Sequence, residues 1–344
     1  MEKLKSAIIG CGNIYKVHAD ALQKNENAEL KYVVDIREER AKTAAEKYNC
    51  SYIIEYEELL EKDIDVVHIC TPHFLHSPMA VKFLEADINV FVEKPMALNY
   101  EEGIKIIEAL RGSQAKLGVC FQNRFNNINQ QTKKILESGR LGAIKGIKGF
   151  VTWNRDEEYY LKDDWKGFYE TEGGGVLINQ AIHTLDLMQW FGGPVEAVKG
   201  NVDTRVLKEV IEVEDTAEAT LYFEDGAVGI FYATNTFSQN SPIEIVIDCE
   251  KGSLRLYDDQ LIVTKNRESK ALISSDNKGK YKSYWGNSHY KTIDNFYQDL
   301  IEGNYNNTVI AAEALKTLEL IKNINQSASS QKKCYLNNEL NFAK

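Results

Sequence analysis

An α/β domain built on a doubly wound parallel sheet, followed by an α+β domain with a large, mostly antiparallel sheet, is the fold class that this 344-residue chain predicts. Three observations carry it. The first third alternates short apolar runs with helix-period segments, the rhythm of parallel strands joined by crossover helices. The remainder reads mainly as alternating strand-length runs, with hairpin signals such as "FEDGA" and "CEKGS". A glycine turn, "IIGCGNI", ends the first run and opens the first helix.

In order, strands are expected at Lys5–Ile9, Leu30–Asp35, Val66–Cys70, Asn89–Val92 and Lys116–Phe121, with a weaker one at Ser51–Ile54. Helices are expected between them at Asn13–Lys24, Glu38–Lys47, Tyr56–Glu61, Ser77–Ala86 and Tyr100–Arg111. Six strands with five crossovers complete a dinucleotide-binding domain, placed at residues 1–121. From residue 122 to 344 a helix at Ile128–Ser138 precedes strand runs at Ile144–Trp153, Val195–Thr204, Thr216–Phe223, Ala227–Asn235, Ile243–Asp248, Ser253–Tyr257 and Leu261–Thr264. A helix at Val176–Trp190 interrupts them, and helices at His289–Glu302 and Val309–Asn323 close the chain. This second region is expected to bind substrate and to carry subunit contacts.

Bulk properties narrow the function. A net charge of -10 gives no basic surface for nucleic acid or an anionic membrane. The start lacks the apolar run of a signal peptide, and nothing approaches the ~20 apolar residues of a membrane helix. Six scattered cysteines without a CxxC pair argue against a zinc ribbon or disulfide framework and fit the cytoplasm. No His/Asp/Glu cluster has metal-ligand spacing, so no metal is expected. No G-x-S-x-G elbow points to a serine nucleophile.

Gly10 and Gly12 permit a tight turn and let backbone N–H groups approach a pyrophosphate at the helix start. Tyr15 occupies the third small position of that pattern. Asp35 follows about 20 residues on, where an acid bonds the adenosine ribose hydroxyls; it could equally cap the next helix. A carboxylate there repels a ribose phosphate, which favours NAD, with NADP left as the weaker alternative by the nearby Arg37. The run Val90–Val92 stops at Glu93, Lys94 and Pro95. Ligands of such sheets lie beyond the strands' carboxyl ends, so Lys94 is expected in the crevice. Pro95 keeps it extended and gives the Lys94–Pro95 bond a raised chance of being cis. A partly desolvated lysine there can exchange protons; an arbitrary Lys-Pro is more often a surface loop.

"GCGNI", "CTPHFLH", "EKP", "GVCFQNRF" and "GGGVLINQAIHTLDLMQW", in this order and across nearly the whole chain, resemble the Gfo/Idh/MocA family of oxidoreductases. The resemblance implies a Rossmann domain, an antiparallel second domain used in homodimers or homotetramers, and NAD(P)-dependent hydride transfer on sugars, cyclitols or their derivatives. It implies cofactor contacts from Gly10, Gly12, Asn13, Ile14, Asp35, Ile36, Thr71, Pro72, His76, Glu93, Lys94 and Gln122. By the same likeness His183 is the catalytic histidine that serves the substrate with Lys94.

A helix from Val176 would put Asn179 and His183 on one face, with Asp186 near enough to orient the imidazole. His183 could also be an interior histidine among Ile182, Leu185 and Met188. Many polyol dehydrogenases of the family carry Asp four residues before this histidine. Here it is Asn179, which cannot take a proton but can hold a substrate hydroxyl, and some nucleotide-sugar oxidoreductases of the family are similar in this. Trp165, within "YYLKDDWKGFYE", is a candidate sugar contact in what could also be a solvated loop. Arg124 is a candidate for an anionic substrate or for a carboxylate of the protein. Two alternatives stand beside a sugar-alcohol dehydrogenase: a UDP-hexuronate-like 3-dehydrogenase that recycles its bound cofactor, and a non-catalytic NAD-binding regulatory protein.

Overall fold

The computed structural model describes residues 2–274 and 288–337. They form two units, one holding residues 2–122 and 288–315, the other 123–274 and 316–337. Residues 275–287 and 338–344, which the expected second domain includes, lie outside the described residues.

The first unit begins with β1 (Leu4–Ile9), α1 (Tyr15–Lys24), β2 (Ala28–Val34), α2 (Glu38–Tyr48), β3 (Ser51–Ile53) and β4 (Val66–Ile69). It goes on with α3 (His76–Glu85), β5 (Asn89–Val92), α4 (Tyr100–Gly112) and β6 (Leu117–Val119). The strands lie in the order β3-β2-β1-β4-β5-β6, all parallel. This is the doubly wound dinucleotide-binding order. β4 is buried at every position, as a parallel strand covered on both faces must be. Asn99 caps α4, its side chain accepting the Glu102 N–H. The stretch expected as a helix at Tyr56–Glu61 is a 3₁₀ helix.

The second unit holds α5 (Asn127–Glu137), β7 (Ile144–Thr152), the short α6 (Glu157–Leu161), α7 (Ile182–Gly192), β8 (Val195–Asp203), β9 (Thr216–Phe223) and β10 (Val228–Thr234). Then come β11 (Glu244–Cys249), β12 (Gly252–Tyr257), β13 (Gln260–Lys265) and β14 (Glu268–Ser274). Later in the chain lie α8 (His289–Glu302), α9 (Ala311–Ser330) and β15 (Cys334–Tyr335). Nine described strands form one sheet in the order β14-β13-β12-β11-β7-β10-β9-β8-β15. Only the β7–β10 pair among them is parallel. Among the described residues no helix is long and apolar enough to cross a membrane.

Two expectations are corrected. A continuous second domain from residue 122 fails because α8 packs in the first unit, where Ile293, Phe296 and Tyr297 join Ile8, Leu22 and Phe91 in one core. Asn25 bonds Asp294 at 3.0 Å and the Lys116 ammonium bonds the Asp299 carbonyl at 2.9 Å, which fixes that helix to the parallel domain. The unit boundary then falls inside α9. The helix expected from Val176 starts six residues later, at Ile182. The intervening N–H groups go elsewhere: Gly175 and Leu177 donate to the Glu214 carboxylate at 2.9 and 3.0 Å, and Val176 to the Glu214 carbonyl at 2.9 Å. Gly175 packs so tightly that a Cβ would sit 1.9 Å from that carbonyl oxygen.

Room for α8 depends on a missing side chain. A Cβ on Gly118 of β6 would lie 2.8 Å from both Phe296 Cδ2 and Thr308 Cγ2. Gly118→Ala is therefore expected to lower stability by about 1–3 kcal/mol, the usual cost of overpacking, read as a lower urea midpoint. An unchanged midpoint would contradict the seating of α8 on β6.

Candidate functional site

In the first unit the expected residues gather at the carboxyl ends of β1, β2, β4 and β5. Gly10 has φ 94°, and a Cβ there would stand 2.7 Å from the Cys70 carbonyl oxygen, so only glycine fits. A Cβ on Gly12 would meet nothing within 4 Å, and a cavity of about 280 Å³ opens beside it, lined by Cys11 of the turn, Tyr15 and Lys16 of α1, and Glu39, Arg40 and Thr43 of α2. Asn13 is exposed and Ile14 half-buried at the start of α1. The Asp35 carboxylate is held from both sides, Oδ2 accepting the Cys11 N–H and Oδ1 the Arg37 N–H, each at 2.8 Å. The Arg37 N–H it takes lies just ahead of α2, and each carboxylate oxygen keeps a second acceptor site. Ile36 beside it is 79% exposed. Glycine cradle, open space and oriented acid together fit a dinucleotide.

Thr71 and Pro72 are half-buried after β4. His76 is buried and ties two turns together: Nδ1 faces the Pro95 carbonyl at 2.7 Å and Nε2 the Thr71 carbonyl at 2.9 Å. Burial pushes its pKa down against the pull of those carbonyls. Glu93 and Lys94 follow β5, and the Lys94–Pro95 bond is cis. Glu93 is buried and Lys94 half-buried. Burial alone would raise the Glu93 pKa, but the hydrogen bond and charge of His18, 2.8 Å away, hold it well below the usual carboxylate range. Gln122 is buried near Cys120, its Oε1 3.9 Å from the thiol sulfur. His289 is buried with its pKa pushed down to about 4, first by burial.

Among the described residues His18, Glu93 and Cys120 bring ligand-type atoms within 4.8 Å of one another. His18 Nε2 and Glu93 Oε1 are hydrogen-bonded at 2.8 Å, closer than the about 3.3 Å between two ligands of one tetrahedral zinc. The trio therefore reads as a hydrogen-bonded cluster.

In the second unit His183 is half-buried in the first turn of α7, and Asn179 lies in the turns that precede it, off the helix. Asp186 does not face the imidazole. Its carboxylate takes a two-pronged ion pair from Arg124 at 2.8 and 2.7 Å and the Thr317 hydroxyl at 3.3 Å. Arg124 is buried and lies 5.7 Å from the Trp190 ring centre, so of its two readings the carboxylate of the protein prevails. Trp165 is half-buried; Lys166 beside it bonds Asp163 at 2.5 Å and stands 4.1 Å from the Tyr159 ring centre.

Sequence reasoning missed Glu172. It is fully buried, takes the Gly167 N–H at 2.6 Å and the Asn179 side-chain N–H at 2.5 Å, and burial raises its pKa to about 7. The available signal was an acid directly before three glycines, "TEGGG". Asn179→Asp would set a second carboxylate against it, and two carboxylates in contact share one proton. A carboxyl whose folded pKa is raised loses stability as pH rises from its unfolded value to its folded one. Between pH 6 and 8.5 the Tm of Asn179→Asp is expected to fall by several degrees more than that of the parent, and Asn179→Asp/Glu172→Gln to lose that excess. Equal pH dependence in all three proteins would refute the pairing.

The family pattern described as "Oxidoreductase family, NAD-binding Rossmann fold" matches residues 4–121, and the GFO/IDH/MocA C-terminal domain matches residues 129–255. The WlbA dehydrogenase from Bordetella pertussis, solved with NADH and UDP-GlcNAcA, is 31% identical over 98% of this chain and 99% of that one, with a TM-score of 0.86. The oxidoreductase YrbE of Bacillus subtilis is 30% identical over 67% of this chain and 66% of that protein. D-glucoside 3-dehydrogenase of Escherichia coli is 28% identical over 79% of this chain and 82% of its own length. Matched in both of its halves, the chain belongs to the Gfo/Idh/MocA family of oxidoreductases, with an NAD-binding Rossmann domain at its amino-terminal end.

Proposed function

We propose that the chain is an NAD-dependent dehydrogenase of a secondary alcohol on a sugar derivative, with Lys94 and His183 as acid–base groups and a nucleotide-linked hexuronate as the sugar. The observation that carries the reading is the position of Lys94. It follows β5 on the same sheet edge as the Gly10 turn and Asp35, where a dinucleotide lies in this fold. The hexuronate is supported by the full-length likeness to a dehydrogenase solved with UDP-GlcNAcA and by an amide, not an acid, at Asn179.

Gly10, Gly12 and the N-terminal turn of α1 would hold the pyrophosphate, and Asp35 the adenosine ribose. NAD, when bound, supplies the hydride acceptor. Lys94 takes the hydroxyl proton while the carbon–hydrogen bond breaks, which avoids a charged intermediate and contributes about 10²–10⁴-fold. His183 serves as a second acid–base group, the task imidazole suits near neutral pH. Asn179, anchored on Glu172, orients the sugar without exchanging a proton.

The same reading includes a homodimer or homotetramer formed through the nine-stranded sheet. Val228 and Ile230, 40% and 48% exposed and two residues apart on one face of β10, support it. Six free cysteines fit a cytoplasmic enzyme.

Incubation with NAD and a panel of UDP-hexuronates, free sugars and inositols, followed by absorbance of the reduced cofactor, is expected to give turnover with a UDP-hexuronate. Lys94→Ala is expected to lose turnover by about 10²-fold or more while keeping its NADH affinity. Near-parental turnover in that variant would remove Lys94 from the chemistry. A blank panel with tight NADH binding would favour the regulatory alternative.

A further inference from the structure

Behind Glu93 a line of hydrogen bonds runs through the core of the first unit. Glu93 Oε1 meets His18 Nε2 at 2.8 Å, His18 Nδ1 meets His68 Nδ1 at 3.0 Å, and His68 Nε2 meets the Tyr297 hydroxyl at 3.0 Å. Tyr297 then meets the Ser6 hydroxyl at 2.6 Å, and Ser6 also lies 3.2 Å from the Leu4 carbonyl. Ser6, His18, His68 and Tyr297 are each fully buried. The residues come from β1, α1, β4, the end of β5 and α8, so distant parts of the chain converge on this row.

Counting hydrogens along it leaves two complete arrangements. In the first, Ser6 donates to Tyr297, Tyr297 to His68 Nε2, His68 Nδ1–H to His18, and His18 Nε2–H to an ionised Glu93. In the second, every direction reverses. Ser6 donates to the Leu4 carbonyl, Tyr297 to Ser6, His68 Nε2–H to Tyr297, and His18 Nδ1–H to His68. The contact between His18 Nε2 and Glu93 must then hold a proton of its own, since two lone pairs cannot face each other at 2.8 Å. The second arrangement carries one proton more and one hydrogen bond more, that from Ser6 to the Leu4 carbonyl, while every contact within the row stays bonded in both. Burial and the charge of His18 hold the His68 pKa well below its usual value, so His68 keeps a single proton in both. The line has a net charge of minus one in the first arrangement and zero in the second.

Next to Glu93 in the chain stands Lys94, whose backbone N–H reaches Glu93 Oε2 at 3.2 Å and whose side-chain charge acts on Cys120 and His289, the groups beside Glu93. A buried carboxylate is stabilised by an adjacent ammonium, and a neutral pair by an adjacent amine. We propose that the row from Ser6 to Glu93 stores a proton against Lys94, gaining one as the lysine becomes an amine and losing it as the lysine becomes an ammonium, with His18, His68 and Tyr297 as positioning residues. Ammonium plus the first arrangement, and amine plus the second, contain the same protons and the same total charge. Other groups around Glu93 are the Cys120 thiol, whose sulfur lies within 4.8 Å of its carboxylate and whose pKa burial raises, Cys70, raised by burial, and His289, which burial keeps neutral at pH 7. None of them offers a charge of its own at that pH. The inference rests on Lys94 as the base for its use in catalysis, but the coupling itself requires only the row and the lysine.

Two measurements on the full-length protein test it, and they separate failure of the row from failure of the proposed reaction. Imidazole nitrogen NMR of the NADH-bound protein follows His18 and His68 across pH in the parent and in Lys94→Met. Loss of the ammonium is expected to move their joint titration up by about one pH unit or more, the size of a coupled pair. An unmoved titration would overturn the proposal whether or not any substrate is turned over. With an active substrate, the acid limb of kcat/KM is the second readout. His18→Gln can still donate to Glu93 but cannot hold the extra proton, so Lys94 should keep its proton longer and the limb should move up by about one unit or more, with the high-pH plateau retained. A fall in rate at every pH with the limb in place would mean a merely structural histidine. If His18→Gln does not fold, Tyr297→Phe, which removes the far half of the row, is expected to move the limb in the same direction by less, and an unmoved limb overturns the proposal.

Discussion

Six parallel strands end on one edge, and the first unit's chemistry depends on that polarity. A parallel sheet buried on both faces offers polar groups only where its strands stop. Three of those stops carry the expected residues: Gly10 after β1 gives the backbone turn, Asp35 after β2 the acid, and Glu93 with Lys94 after β5 the titratable pair. Glu93 is the costly member, because an ionised carboxylate out of water needs a partner. His18 on α1 supplies it, and so the helix that opens at the glycine turn also settles the charge beside the lysine. The glycine turn and the acid beside Lys94 are thus tied to one helix.

The second unit solves a similar problem with acids in place of a glycine turn. Glu214 and Asp215, adjacent and buried, collect backbone N–H groups that no helix or strand takes. Glu214 serves Gly175 and Leu177, and Asp215 serves Arg205, Val206 and Leu207. Those bonds shape the turns carrying Asn179 and deliver the chain into α7 at His183. Arg124 and Asp186 then clamp α7 to the segment after β6, a pair whose loss would leave a buried charge unmatched. The histidine thus sits on a first turn held from both sides.

The parallel domain was legible because its signals are local. Apolar runs, a glycine turn and Lys-Pro after a strand all lie within a few residues, and periodicity reports them directly. β14 escaped notice since "ESKALIS" does not alternate, and β15 is two residues long. The start of α7 was misplaced because the competing acceptor, Glu214, lies 39 residues from Gly175. For the same reason α8 was assigned to the wrong unit, its apolar face being visible in the sequence but not the sheet it covers. Lys94 and His183 stand out in the sequence only through motif order. Glu172, and the row from His18 to Tyr297, depend on partners far apart in the chain, and residue spacing carries no trace of such pairings.

A crystal structure with NADH and a UDP-hexuronate bound tests the account most directly. It should show the Lys94 side-chain nitrogen within about 3.2 Å of a sugar hydroxyl oxygen, the reach of a proton-transferring group. A complex in which Lys94 touches no part of the sugar would contradict it.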